Sequence, residues 1–181
     1  MSRLQPVDPS TATGKAKELL DAVKAKIGTV LNMTRVMAAS PAVLESYLNF
    51  SGSLSHGLLD AKTREQIALL TAQENHCNYC LSAHSAIGKM VGLNHEEIIA
   101  SRKGDGSSPK TTAALTFAKR VLDTKGQISE ADLAAVHDAG FSEGEIAEII
   151  AHVALNVFTN YFNIATDVDI DFPKVSYATI A

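Results

Sequence analysis

Apolar residues at three- and four-residue spacing, bounded by capping residues and glycines, recur along the whole chain, and this 3.6-residue period most constrains the fold. Leu19, Leu20, Val23 and Ile27 share one side of a segment introduced by Pro9-Ser10-Thr11 and closed by Gly28. Ser40-Pro41 is an N-cap and first-turn pair for a second segment reaching about residue 56, with Val43, Leu44, Tyr47 and Leu48 in register and Gly57 after it. Asp60 opens a third over 61–74, in which Ile67, Ala68, Leu70 and Thr71 face inward. Cys77-Asn78-Tyr79-Cys80 begins a fourth, which ends at Met90 before Gly92.

Two later starts, Asn94 with Glu97 and Ser142 with Glu145, have the spacing of capping boxes. A helix over about 109–123 and a shorter one after Ser129 lie between them. The last helix carries Ile146, Ile149, Ile150, Val153, Val157 and Phe158, a stripe expected to be buried. Residues 101–109 read as a loop, and Phe172-Pro173 begins a tail expected to pack on a neighbour or fray. The alternation in Val168-Asp169-Ile170-Asp171-Phe172 stands alone, so the expected fold class is all-α.

A chain of 181 residues is the length of one domain, so residues 1–181 are expected to form a single helical unit with a cysteine-bearing hairpin at about 60–90. Sixteen Lys+Arg against 20 Asp+Glu give a net charge of −4, too little positive charge to hold nucleic acid or an anionic membrane surface. No apolar run is long enough to span a bilayer, and the first ten residues lack the apolar core of a signal peptide, so the expected compartment is the cytoplasm.

The only cysteines are Cys77 and Cys80. On a helix, positions three, four and seven apart share a face, which puts Cys77, Cys80 and His84 together. A Cys-x-x-Cys at a helix amino terminus lies near unpaired N–H groups and the positive end of the helix dipole, which favours thiolate. A thiolate attacks peroxide or disulfide sulfur, and a second cysteine resolves the product as a disulfide. Glu65, on the preceding helix, is placed to orient or recharge His84.

The combination Glu65, Cys77, Cys80 and His84 resembles the alkylhydroperoxidase D-like proteins of the carboxymuconolactone decarboxylase superfamily, whose pattern is a Glu about twelve residues before Cys-x-x-Cys and a His four after it. The likeness covers roughly residues 40–90. The ending Asn156-Val-Phe-Thr-Asn160-Tyr-Phe-Asn163, with Asp171-Phe-Pro173, more loosely resembles the peroxidase-related branch. The resemblance implies an alkylhydroperoxidase D-like helical bundle assembling into homo-oligomers, trimers or hexamers. It also implies reduction of a hydroperoxide substrate, with no cofactor and an external dithiol as reductant. By the same resemblance Cys80 is the peroxidatic thiol, Cys77 the resolving thiol, and His84 with Glu65 the proton relay. The family's histidine before the second cysteine is Tyr79 here, which removes one possible participant in that relay.

Other readings of the same residues are a disulfide reductase or adaptor serving another peroxidase, and a non-catalytic assembly protein whose motif senses redox state or clips zinc. For zinc, Cys77, Cys80 and His84 would be joined by Glu65, Glu74 or His76, although structural zinc sites usually take ligand pairs from separate parts of a chain. Leu81 after Cys80 excludes covalent haem attachment, and no glycine-rich phosphate loop supports a nucleotide or flavin. Tyr79, Asn160 and Asn163 are candidate substrate-binding residues, though the commonest role for Tyr79 would be packing against a neighbouring subunit. His56, His95 and His137 sit at helix ends. His76 and Glu74 read as turn and surface residues, and His152 as a satisfied, partly buried histidine.

Overall fold

The computed structural model describes residues 2–180. Among them are nine helices and no strand: α1 (Gly14–Ile27), α2 (Asn32–Met37), α3 (Pro41–Leu54), α4 (Ala61–Glu74), α5 (Asn78–Met90), α6 (His95–Arg102), α7 (Pro109–Thr124), α8 (Glu130–Asp138) and α9 (Glu143–Thr166). The expected all-α class is what the chain adopts. No helix among the described residues is long and apolar enough to cross a membrane.

The caps start helices where the sequence places them. Asp60 accepts from the Thr63 amide at 2.9 Å, and the Asn94–Glu97 and Ser142–Glu145 boxes form with both reciprocal bonds. Gly28 ends α1 with φ +86°, the left-handed conformation a side chain would strain. The short α2 has no apolar period of its own length to announce it. Its Met33, Thr34, Val36 and Met37 are buried all the same.

α4 is the central wall, packing against α5, α6, α7 and α9. Leu69 and Ala72 belong to one apolar cluster with Leu20, Val36, Leu44 and Leu81, while Ile67 and Leu70 belong to a second with Leu115, Phe117, Val136 and Ile149. A helix that serves two cores has no polar face to spare, and residues 66–72 are buried without interruption.

One expectation fails on α9. Ile150 and Phe158 are exposed, although Ile146, Ile149 and Val153 are buried as expected. The other buried face instead carries His152, Asn156, Thr159, Asn160, Asn163 and Thr166. Apolar periodicity alone misses such a stripe, because polar residues lie in it. The C-terminal tail is the second correction. It packs across its own chain: Arg102 Nη2 donates to Ser176 O (2.8 Å) and Thr179 O (3.0 Å), the Val175 amide to Ser82 Oγ (2.9 Å), and the Tyr177 amide to Asn78 Oδ1 (2.9 Å). The tail thereby lies over the amino-terminal turn of α5.

Candidate active site

The turn from α4 to α5 sets the cysteines. His76 takes φ +58°, the Cys77 amide donates to Ala72 O at 2.9 Å, and Cys77 becomes the N-cap of α5 rather than a residue within it. Its Sγ accepts from the Cys80 amide at 3.2 Å, so the sulfur occupies the place of a capping oxygen at the positive end of the helix. The Cys77 and Cys80 sulfurs are at disulfide-bonding distance, with Cα atoms 5.3 Å apart. Both residues are almost wholly buried, at 1% and 2% exposure.

One turn further along α5, His84 Nδ1 lies 2.7 Å from Glu65 Oε2 on α4. A carboxylate only accepts, so Nδ1 carries the proton and Nε2 is left to take or give one. A cavity of about 320 Å³ joins these groups. Cys80, His84, Glu65, Arg64, Tyr79, His152 and Asn163 supply its chemistry, and Met33, Ile87, Leu155 and Phe172 contribute to its apolar walls. Cys80 lines this cavity and Cys77 does not. A larger cleft of about 670 Å³ between α7 and α8 is lined by neither cysteine nor histidine, and its Arg120 and Asp132 pair with each other at 3.2 Å.

Tyr79 is buried beneath the tail, where its hydroxyl donates to Asp171 Oδ2 at 2.7 Å and its ring meets Phe172 edge-on. That corrects the expected packing against another subunit. Burial first, and the Asp171 carboxylate second, push the phenol well above its ordinary range, so it stays protonated as a donor. Asn163 lines the cavity and its Nδ2 is 3.3 Å from Cys80 Sγ. Asn160 does not line it: its Oδ1 accepts from Asn75 Nδ2 at 3.0 Å.

His152 is the residue that sequence reasoning set aside. It is 6% exposed, lines the cavity, and its Nε2 has no partner, so it is not the satisfied histidine expected. Burial, and then the neighbouring Arg64 charge, hold its imidazole below the ordinary histidine range. The available signal was its spacing to Asn156, Thr159 and Asn163, which is helical and polar.

The remaining candidates lie elsewhere. Glu74 pairs with Lys119 at 2.9 Å and His76 stacks on Tyr177 at 4.5 Å, both outside the cavity lining. His56 lies 2.9 Å from Gly52 O, and His137 is 3.1 Å from Glu143. Among the described residues no group of three or more His, Cys, Asp or Glu is arranged to hold a metal ion, so the geometry lends the zinc reading no support.

Residues 41–124 match the carboxymuconolactone decarboxylase family. The whole described fold is similar to solved structures at low identity. A peroxidase-related protein from Ralstonia eutropha JMP134, with the alkylhydroperoxidase AhpD core, is 23% identical over 94% of this chain and 92% of that one, with a TM-score of 0.85. The debrominase Bmp8 in complex with 2,3,4-tribromopyrrole is 20% identical over 93% and 91%, with a TM-score of 0.77. A peroxidase-related protein from Silicibacter sp. TM1040 is 20% identical over 99% and 93%, with a TM-score of 0.73. No curated protein sequence matches the chain. The chain has the alkylhydroperoxidase D-like fold of these structures, and its residues 41–124 carry the match to the carboxymuconolactone decarboxylase family. The Cys77–Cys80 pair is consistent with redox function.

Proposed function

We propose that this protein is a thiol-dependent hydroperoxide reductase. The observation that carries the reading is the division of the cysteine pair: Cys80 shares a cavity with the Glu65–His84 pair, while Cys77 stands behind it within disulfide reach. In the reduced protein His84, oriented by Glu65, takes the Cys80 proton. The thiolate attacks the terminal oxygen of the hydroperoxide, an S–O bond forms as the O–O bond breaks, and the alkoxide leaves as alcohol with a proton from His84. The Cys77 thiol then displaces the hydroxyl of the Cys80 sulfenic acid as water and closes the disulfide. An external dithiol reopens it by thiol–disulfide exchange, so each turnover oxidises one dithiol. Tyr79 and Asn163 contribute to the substrate pocket, and no cofactor takes part.

We place the protein in the cytoplasm, as a homo-oligomer of trimeric or hexameric order. Ile150, Phe158, Tyr161 and Ile164 form an exposed apolar run on α9 that supports self-association.

The test is stopped-flow oxidation of the reduced protein by cumene hydroperoxide, with Cys80→Ser and Cys77→Ser alongside. Expected are rapid loss of two thiols in the parent, none in Cys80→Ser, and arrest at a sulfenic acid in Cys77→Ser. A brominated pyrrole is run in parallel because one structural neighbour is a debrominase. If the parent reacts no faster than a small free thiol at the same pH, the reading fails and disulfide exchange with a protein partner replaces it.

A further inference from the structure

The polar residues buried along α9 use their hydrogen-bonding groups differently. Asn156 Nδ2 donates to the carbonyl of His152 at 2.8 Å, and Asn160, away from the cavity, accepts from Asn75 while its own Nδ2 is buried without a partner. These are bonds to the protein's own framework. Asn163 is 3% exposed, and its Nδ2 reaches two sulfurs, Met33 Sδ and Cys80 Sγ, each at 3.3 Å. Its Oδ1 is buried without a partner.

The orientation of the amide follows from its neighbours. A thioether, and a disulfide or thiolate sulfur, can only accept, so the NH₂ end must face them. A carbonyl oxygen lacking a donor then remains, on a residue that lines the cavity beside Cys80. Buried acceptors in native proteins are nearly always satisfied, and this orphan, unlike Asn160 Nδ2, belongs to a residue that borders a cavity.

We infer that Asn163 is a further catalytic residue, whose Nδ2 donates a hydrogen bond to the Cys80 thiolate while its Oδ1 accepts one from the terminal O–H of the bound hydroperoxide. The acceptor half rests on the hydroperoxide reading above. In the reduced protein the sulfur bears a full charge, and the N–H···S bond becomes charge-assisted. A bond that favours the charged form lowers the pH at which the thiol ionises. The two ends of one planar amide lie side by side, so an oxygen held at Oδ1 sits at near contact with the sulfur, roughly 3–3.5 Å, the separation of a near-attack arrangement. When sulfur takes that oxygen, its hydrogen stays on it as the sulfenic O–H. Oδ1 thus keeps the same donor before and after the O–O bond breaks.

The test uses the Cys77→Ser protein, in which Cys80 is the only thiol. Thiolate ultraviolet absorbance is followed against pH in this parent, in Asn163→Asp, which keeps the shape but exchanges the donor for a negative charge, and in Asn163→Leu, which loses donor and acceptor without adding charge. Tyr47 on α3, Arg64 and Glu65 on α4, Tyr79 and His84 on α5, and His152 on α9 face the same cavity and are unchanged throughout. The midpoint should rise by about one pH unit or more in both variants. The rate with cumene hydroperoxide, taken where the thiol is fully ionised, should fall about tenfold or more in Asn163→Leu.

A midpoint within about 0.3 unit of the parent in Asn163→Leu overturns the donor role. An undiminished rate in Asn163→Leu overturns the acceptor role. If the variants do not fold, the side-chain NH₂ resonance of Asn163 in the parent must move with the Cys80 midpoint, and a resonance that does not move refutes the donor role. The titration requires no peroxide chemistry. A parent inert to hydroperoxides whose midpoint still responds to Asn163→Leu removes the hydroperoxide reading and the acceptor role together, and supports the donor role.

Discussion

Glu148 ties the loop ahead of α4 to α9, and removing it has a cost that can be worked from the structure. Its two carboxylate oxygens accept from the Leu58 amide at 2.7 and 2.8 Å, and one also accepts from the Leu59 amide at 2.9 Å. Gly57 makes the approach possible, since a Cβ there would lie 2.5 Å from either oxygen. Leu58 is 65% exposed, so its amide can turn to water when the carboxylate goes; Leu59 is 3% exposed and its amide has no such recourse. A hydrogen bond to a charged group contributes about 1.5–3 kcal/mol, with the exposed one at or below the low end. Glu148→Ala should therefore destabilise the fold by about 2–3 kcal/mol in total. With the disulfide intact and protein concentration fixed, the urea midpoint falls at constant m, and the thermal midpoint drops by about 5–10 °C for a chain of this size. Gly57→Ala displaces the same carboxylate and should cost a comparable amount, while adding little in the Glu148→Ala background. The argument is refuted if Glu148→Ala costs less than about 0.5 kcal/mol, or if the two single costs add in full.

Glu65→Gln and His84→Gln should each slow oxidation of Cys80 by hydroperoxide about 100-fold, and the double variant little more, because the two groups act as one unit; additive losses in single-turnover assays would show otherwise. His152 should make stability fall in mildly acidic solution. Its folded pKa lies below the ordinary 6.5, so the unfolded chain binds the proton first as pH drops through that value, and the folded state loses ground until its own pKa is reached. Urea midpoints at about pH 7.5 and about pH 5.5 should differ less in His152→Gln than in the parent. Arg102→Met, which frees Ser176 O and Thr179 O, should loosen the tail over α5 and speed reduction of the Cys77–Cys80 disulfide by dithiothreitol about 5- to 20-fold. An unchanged rate would show that the reductant reaches the disulfide by another route.

Much of the architecture was legible in order along the chain, because helix starts are local events. Asp60, Asn94 and Ser142 each bond an amide three residues away, within reach of a local sequence pattern. The pairing of Glu65 with His84 was also legible, since two helices joined by a short turn must lie side by side and the spacing selects facing positions. α2 was not, because six residues hold too few turns to show a period.

What the sequence by itself determined, then, is the all-α class, most helix boundaries and the cysteine–histidine–glutamate group, all consequences of hydrogen bonds and side-chain spacing within one or two neighbouring helices. Tertiary structure alone decided which residues surround that group. His152 and Asn163 come to the cavity from α9 and Phe172 from the tail, whose Asp171 accepts from Tyr79, each more than sixty residues from Cys80 in sequence. Their apposition depends on how α9 and the tail pack against α4 and α5, and no local period encodes that. The polar face of α9 belongs to the same category: His152, Asn156, Thr159 and Asn163 border a cavity, an environment that exists only once the helices are assembled.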